Sequence, residues 1–597
     1  MKKTVSALFI LAAVSLFELN AQKFNPRVEV ENTFEGKVVE ATKKSLDMAV
    51  PDSLYDFRYN IDYSVFDNPY RGSYEFRPYK IEYRPEAAPV SGRRFFMNAG
   101  AGWSMHPEVD LVWSPRFKNS KFSMSVYDRL RGYWGYYGVP MYASASTTAI
   151  TVYRLDYRTS TPMKNMGFFY DNKVGTDLRA ELGKVVFKAD AGYRIMTGDD
   201  YLTSHMFHMG EAELKLLPIN PSKAGFFRGG RFYVNAGKDV LWSAMKIGNI
   251  HAHQLGFNDM GADLNLAVSF GPHAAILFSP GIQTNVYTGV RDAAVTRAWA
   301  TPQLAFYWNG GYAEIGTTVS YVKGSDRTEG SASTVFGYTH ESIGKYFFPA
   351  VKIRQQIVPG LLFLYLKADG GDTLNNYADY YRVNPFFNPA LYLNYMDASS
   401  ERLNAQAGLQ LSIAEKFQMD IHGGYAKREN YQCDAAQMLE AAESGDVYFS
   451  SYANYLDYNM IYADMRVLWQ SRSLDIEAHG LYRSTNIASE AMLAIEPAKW
   501  SADLKATYNW NRQAFVGVDA AFQSSRRGYF VTGAAFDQFD YMSIAGWVDL
   551  GFHASYNFNP KFGIWLKGGN LLGHNVYKYF LHPERGPWVT AGITLNL

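Results

Sequence analysis

A single cysteine, Cys433, rules out any intrachain disulfide framework and any cysteine-rich zinc or iron–sulfur site. Net charge is almost absent as well. The 58 Lys and Arg stand against 57 Asp and Glu, leaving no field to draw in a polyanion, and no nucleic-acid partner is expected. Beyond residue 21 no apolar run approaches the roughly 20 residues of a membrane helix. The longest, 361–366, is ended by Lys367. A mean hydropathy of −0.22 argues equally against a polytopic helical membrane protein. Wholesale disorder is excluded, because 47% of the chain is hydrophobic. What the chain has in excess is aromatic: 44 Tyr, 39 Phe and 12 Trp.

The N-terminus reads as an address. Lys2 and Lys3 form a positive region, 5–17 is apolar, and Leu19-Asn20-Ala21 ends on a small residue. That is the pattern of a secretory signal peptide over 1–21, and it predicts a mature chain beginning at Gln22. No Cys follows the apolar region, so a lipoprotein signal is not expected.

The dominant period along the rest of the chain is two. Over 543–558, Ile544, Gly546, Val548, Leu550, Phe552, Ala554, Tyr556 and Phe558 share one face. Trp547, Asp549, His553, Ser555 and Asn557 share the other. Side chains alternate across a strand, so each such segment has an apolar and a polar face. The pattern recurs at 174–181, 403–412, 461–470 and 474–483, with both charge signs on the polar side. In a soluble sandwich that polar side faces out; in a membrane barrel it lines the lumen.

Loop lengths separate the two. Short connections (Gly183-Lys184, Gly271-Pro272, Asn309-Gly310-Gly311, Pro359-Gly360, Glu415-Lys416, Asn511-Arg512-Gln513, Asn559-Pro560-Lys561) alternate with long ones near 198–204, 325–345, 375–400, 430–453, 485–497, 526–542 and 574–585. Outer-membrane barrels have short periplasmic turns and long external loops, whereas a sandwich has no reason to keep such parity. Trp and Tyr also favour bilayer interfaces. The fold class expected is therefore all-β: a transmembrane antiparallel barrel over 93–597, of about 22 strands counted from 95–103 to 588–597. An even number places both ends of the barrel on the periplasmic side.

Residues 22–92 differ, with more Pro, Glu and Lys and breaks at Val50-Pro51 and Ala88-Pro89. They contain one good strand pattern at 57–65 and weaker ones at 27–32 and 80–84. A periplasmic segment that engages the barrel mouth or a partner is expected. Some 70 residues are too few to fill a lumen this wide, since barrel diameter grows with strand number. Either long loops such as 134–170 and 375–400 fold inward or a second protein closes it.

Chemistry is sparse. There is no phosphate-binding glycine loop, and His340-Glu341 lacks the second His of a metalloprotease pair. Gly100-Ala101-Gly102 reads as barrel wall. His205 with His208, and His251 with His253, lack a third metal ligand; Asp199-Asp200 and Asp326 with Glu329 lack the oxygens a calcium ion needs. No enzyme, cofactor or metal is expected. The residues singled out are the lumen-facing Asp464, Arg466, Asp475, Glu477, His479, Lys505, Asp549 and His553, with Asp475, Glu477, His479, Asp549 and His553 expected mid-strand.

The C-terminal stretch carries a family likeness. Leu566-Lys567-Gly568-Gly569-Asn570-Leu571-Leu572 leads through Tyr577, Tyr579, Pro583 and Gly586-Pro587-Trp588 to Ala591-Gly592-Ile593-Thr594-Leu595-Asn596-Leu597. This resembles the final hairpin of TonB-dependent receptor-type barrels, especially the receptor-like outer-membrane proteins of Bacteroidota. The resemblance implies a 22-stranded barrel in the bacterial outer membrane. Such receptors carry a plug of roughly 150 residues and a TonB-contacting box; here 22–92 is shorter than such a plug and shows no box. The chain also ends in Leu597 rather than an aromatic.

The functional expectation is thus a plugless receptor- or channel-type barrel that passes or binds a solute. The alternative is an accessory or structural subunit of an outer-membrane complex, such as one for protein assembly or export. Its partners would be outer-membrane lipid and an outer-membrane or surface lipoprotein that docks on or closes the barrel. Epitope tags placed within 430–453 are expected to be detected on intact cells, and tags at Pro359 or Pro560 only after permeabilisation; a 430–453 tag invisible on intact cells would overturn the topology.

Overall fold

The computed structural model describes residues 94–597 except 104–105, 116, 118–120, 138–164, 200–203, 220–224, 244–253, 290–291, 327–343, 387–397, 414–415, 441–446, 488–495, 512, 533–537, 575, 580–581 and 585. The signal peptide, the 22–92 segment with its strand pattern at 57–65, and His251 and His253 lie outside the described residues.

Twenty-two strands form one antiparallel sheet in which successive barrel strands pair in chain order. The sheet has no free edge, because the first strand, Phe95–Trp103, pairs with the last, Trp588–Asn596, from Phe96↔Asn596 to Trp103↔Val589. Closure is a requirement in lipid, where an unpaired N–H or C=O finds no water. The indole of Trp565 covers this seam from one side and rests against Gly100 and Gly592; a Cβ on either glycine would collide with its ring. Both ends of the barrel meet at the short-turn rim, where the Arg94 N–H donates to the Leu597 carbonyl at 2.5 Å. No helix among the described residues is long and apolar enough to cross a membrane, so the crossing is made by strands.

Curvature identifies the two faces. On a closed sheet the inner side chains converge and reach beyond their neighbours. The Tyr127 hydroxyl donates to Asp190, two strands away, at 2.8 Å, and Tyr365 does the same to Asp420 at 2.8 Å. Lys567 crosses three strand steps around the seam to Glu108 at 2.8 Å. The opposite face is apolar and exposed. On Trp500–Trp510 it carries Trp500, Leu504, Tyr508 and Trp510, with the two tryptophans at the strand's ends. Ten steps at about 3.3 Å, tilted 35–45°, separate those indoles by about 25 Å in height. That is the apolar height of an outer-membrane barrel, and the aromatics sit where a ring can be half wet. The closed barrel with this outward band belongs in the bacterial outer membrane.

Several sequence expectations need correction. The run 543–558 is not one strand: the barrel strand is Trp547–Asn559, and Ile544 ends a separate hairpin, Arg526–Thr532 with Gln538–Ile544. The break follows from Ala545-Gly546, where a Cβ on Gly546 would meet the backbone of residues 523–525. The expected loop 526–542 is therefore largely this hairpin. The expected loop 430–453 is mostly ladder: Phe417–Glu440 and Val447–Gln470 stay paired from Phe417↔Trp469 to Glu440↔Val447, each 24 residues long. A bilayer crossing uses only about ten residues of such a strand, so the rest projects beyond the long-loop rim. The expected loop 375–400 contains a helix.

An Arg at outward Leu504 is expected to destabilise the barrel by about 2–4 kcal/mol, while Lys505→Arg on the opposite face changes little. Urea unfolding of the purified variants in detergent checks this; equal stability would mean the facing is wrong.

Candidate functional site: a helix held against the inner wall

The helix α1, Tyr377–Val383, interrupts the connection between the strands Leu362–Leu374 and Ala398–Ile413. Its ends are specified locally. The Asn376 side chain accepts from the Asp379 N–H at 2.7 Å and donates to the Asp379 carboxylate at 2.7 Å. The Asn384 N–H donates back to the Tyr380 carbonyl at 2.9 Å. Asp379 in the first turn and Arg382 in the last complement the helix dipole and bond each other at 2.9 Å. Seven residues are too few for a helix to persist unsupported, so packing must hold it.

The packing comes from the inner face of the wall. Tyr377, Ala378, Tyr380 and Tyr381 are buried with Met196, Phe207, Met209, Leu255, Phe257 and Tyr287, drawn from the fifth, sixth, eighth and ninth strands. Phe207 meets Tyr377 at 5.8 Å and stacks on Tyr381 at 5.9 Å between ring centroids. Gly198 makes room for the segment after the helix: a Cβ there would strike the Pro385 carbonyl oxygen. Phe386 then packs on Tyr133 and Phe169, on the third and fourth strands.

Polar bonds fasten the helix at two separated parts of the ring. The Tyr377 hydroxyl donates to buried Asp239 on the seventh strand. Arg382 donates to Glu211 on the sixth at 2.6 Å, and Lys173 reaches the same carboxylate at 2.7 Å. The Tyr380 hydroxyl donates to Asp434 on the fifteenth strand at 2.8 Å. Strands seven and fifteen stand eight steps apart in a ring of 22, where opposite strands are eleven apart. The helix therefore bridges well-separated walls at the long-loop end. Near Asp434, burial pushes the Arg526 guanidinium down to about 10, with the Asp434 charge pulling the other way. Burial also holds the Tyr381 hydroxyl well above the usual phenol range, so it stays neutral.

The eight residues singled out from sequence fall elsewhere. Asp464, Arg466 and His479 form one cluster: His479 Nε2 lies 2.9 Å from Asp464, and Arg466 donates to the same carboxylate at 3.2 Å. His553 Nδ1 lies 2.6 Å from Asp519, and its Nε2 lies 2.8 Å from the Thr507 hydroxyl. Lys505 stands opposite Asp519 in the ladder. Asp549 is buried and accepts from the Asn570 N–H at 2.7 Å, fixing the turn after Phe562–Gly569. Asp475 and Glu477 are exposed among the first four residues of the strand Leu474–Ile487, beside the short connection 471–473, so they sit at the rim rather than mid-strand. The residues sequence reasoning missed are Glu211, Asp239, Tyr377, Tyr380, Arg382 and Asp434. The readable trace is Asn376 three residues before Asp379 and six before Arg382, a capping pattern inside the expected loop 375–400.

Among the described residues no group of three or more His, Cys, Asp or Glu could hold a metal ion. His208 meets the Tyr193 hydroxyl at 2.9 Å.

No family model matches this chain, and no curated protein matches it by sequence. Solved structures do match. The FrpB iron transporter from Neisseria meningitidis (F3-3 variant) aligns with TM-score 0.61 at 9% identity, over 85% of this chain and 82% of that one. The copper transporter OprC aligns with TM-score 0.58 at 11% identity, over 85% and 80%. The pyoverdine outer membrane receptor FpvA from Pseudomonas aeruginosa PAO1 aligns with TM-score 0.59 at 9% identity, over 85% and 79%. At these identities the likeness is one of fold: the chain has the barrel of outer-membrane receptors and transporters.

Asn376→Ala should remove the N-cap and cost the helix about 1 kcal/mol, an increase of about fivefold in local opening. Hydrogen exchange at 377–383 in detergent-solubilised protein reads this directly; unchanged protection would mean that the cap does not hold the helix.

Proposed function

We propose that this chain is a receptor- or channel-type outer-membrane barrel in which its own 375–386 segment, rather than a full plug, restricts the passage of a solute. The carrying observation is that Tyr377, Tyr380 and Arg382 fasten one short helix to well-separated walls. Three side-chain bonds on seven residues make a closure that can be released without unfolding the barrel. In this reading Asp464, Arg466, Asp475, Glu477, His479, Lys505, Asp549 and His553 face the lumen and set its polarity. The domain organisation proposed with it is a signal peptide over 1–21, a periplasmic segment over 22–92 and the barrel from 93.

The receptors and transporters of like fold take copper, iron or pyoverdine by their names. This chain's inner wall carries both charge signs, as in the Glu211–Lys173–Arg382 group, and favours a polar solute without selecting one of these. A second reading is an accessory or structural subunit of an outer-membrane complex. The specific support is the 24-residue strand pair Phe417–Glu440 and Val447–Gln470, whose projecting end suits docking of a surface lipoprotein better than solute passage.

Purified protein in planar bilayers should show small, infrequent conductance. The combined variant Tyr377→Phe, Tyr380→Phe, Arg382→Gln should raise it several-fold while the barrel stays heat-modifiable. Large conductance in the unaltered protein, or none gained in the variant, would refute closure by this segment.

A further inference from the structure

The outward face carries a charge where lipid should be. Asp128 lies on Phe122–Tyr137 next to Tyr127, whose ring points inward to Asp190, so Asp128 points outward. Its outward neighbours across the ladder are Leu111 and Val174. Phe122 lies six residues below it on the same face, and Trp134, 52% exposed, six residues above. Six tilted steps are about 15 Å of height, so Asp128 sits roughly midway between the two aromatic levels. Its hydrogen bond is from Asn172 Nδ2 at 3.1 Å, another polar group on the same outward face.

The polar character continues as a ribbon. Tyr170 is the next outward residue after Asn172, and the Tyr193–His208 pair lies two and three strands along from Asp128. Lys238 stands opposite His208 in the register, nearer the long-loop rim. Other parts of the wall look different. On Ala514–Gln523 the outward residues include Val516, Val518 and Phe522, and on Trp547–Asn559 Val548, Leu550 and Tyr556. An ionisable side chain facing acyl chains at mid-depth is unfavourable, and such groups are normally turned to protein or water.

We propose that the outward patch Asp128–Asn172–Tyr170 is the lateral docking site of a second, different membrane-embedded protein that presents hydrogen-bond donors (Lys, Arg, Ser or Thr) at mid-depth. Acyl chains have no donor to offer, and lipid headgroups lie about 15 Å away in height. A second copy of this chain is a poor fit: a twofold axis along the membrane normal brings the same patch of each copy together, setting Asp128 against Asp128 at equal depth. An acid already carrying one amide donor, flanked by a phenol, is complementary to a cationic or hydroxyl side chain on a neighbouring wall. The inference is independent of whether 375–386 closes the lumen.

The test places a photo-crosslinking amino acid at Val126 or Leu130, the outward residues flanking Asp128, in the full-length protein in living cells. Leu504 and Leu550 serve as lipid-facing controls. A discrete adduct with a different protein is expected from 126 and 130 and not from 504 or 550. Asp128→Leu should reduce it at least tenfold with the amount of heat-modifiable barrel unchanged. Asp128→Asn, which keeps shape and removes charge, serves if the leucine variant does not accumulate, and should also lower the yield. The proposal is overturned by no protein adduct at 126 or 130, by equal adducts at all four positions, by adducts indifferent to the Asp128 variants, or by adducts containing only this chain.

Discussion

Everything in this molecule depends on the pairing of its first barrel strand with its last. A sheet of 22 strands in lipid cannot leave an edge, because each unpaired backbone group there lacks a partner. The bonds between Phe95–Trp103 and Trp588–Asn596 remove both edges at once. Closure then sorts the side chains: alternate residues diverge into lipid or converge on the lumen. Because the strand number is even, it also brings Arg94 and Leu597 together at the short-turn rim.

The converging face solves its own electrostatics. Tyrosine hydroxyls donate to aspartates across two strands, as Tyr127 does to Asp190 and Tyr365 to Asp420. Within α1 the same chemistry recurs, from Tyr377 to Asp239 and from Tyr380 to Asp434. A neutral donor on a rigid ring can satisfy a carboxylate without adding charge to a confined space. Part of the tyrosine excess is therefore spent inside the barrel, not only at the bilayer interfaces to which composition alone assigned it. The same alternation exposes the anomaly at Asp128, where a residue of inward type occupies an outward position.

Legibility tracked the range of the interaction involved. Period-two patterning and loop parity are local properties, so strand identity, the count of 22 and most short turns could be read directly. Where local pattern continued but geometry did not, reading failed. Ile544 and Val548 keep the same alternation, yet Gly546 lies where the chain leaves one sheet and enters another. The ladder above Lys427 and Asn459 has the look of a loop because its polar and apolar residues do not alternate, and a strand beyond the bilayer need not alternate. Asp475 and Glu477 matched the charged-face pattern but sit at the rim, since alternation records a side of the sheet and not a height.

The amino-acid sequence by itself determined the class of solvent and the architecture that tolerates it. Alternation, the absence of apolar runs and the order of short and long connections exclude helical crossing and a soluble sandwich, and these are properties of neighbours along the chain. Only the tertiary structure decided what occupies the mouth and where the outer wall is not lipid-like. Tyr380 and Asp434 are 54 residues apart, and Tyr377 and Asp239 are 138. Asp128 and Asn172 are 44 apart. Such pairs form because ring closure and strand register carry distant segments to the same place, and no local period encodes that distance.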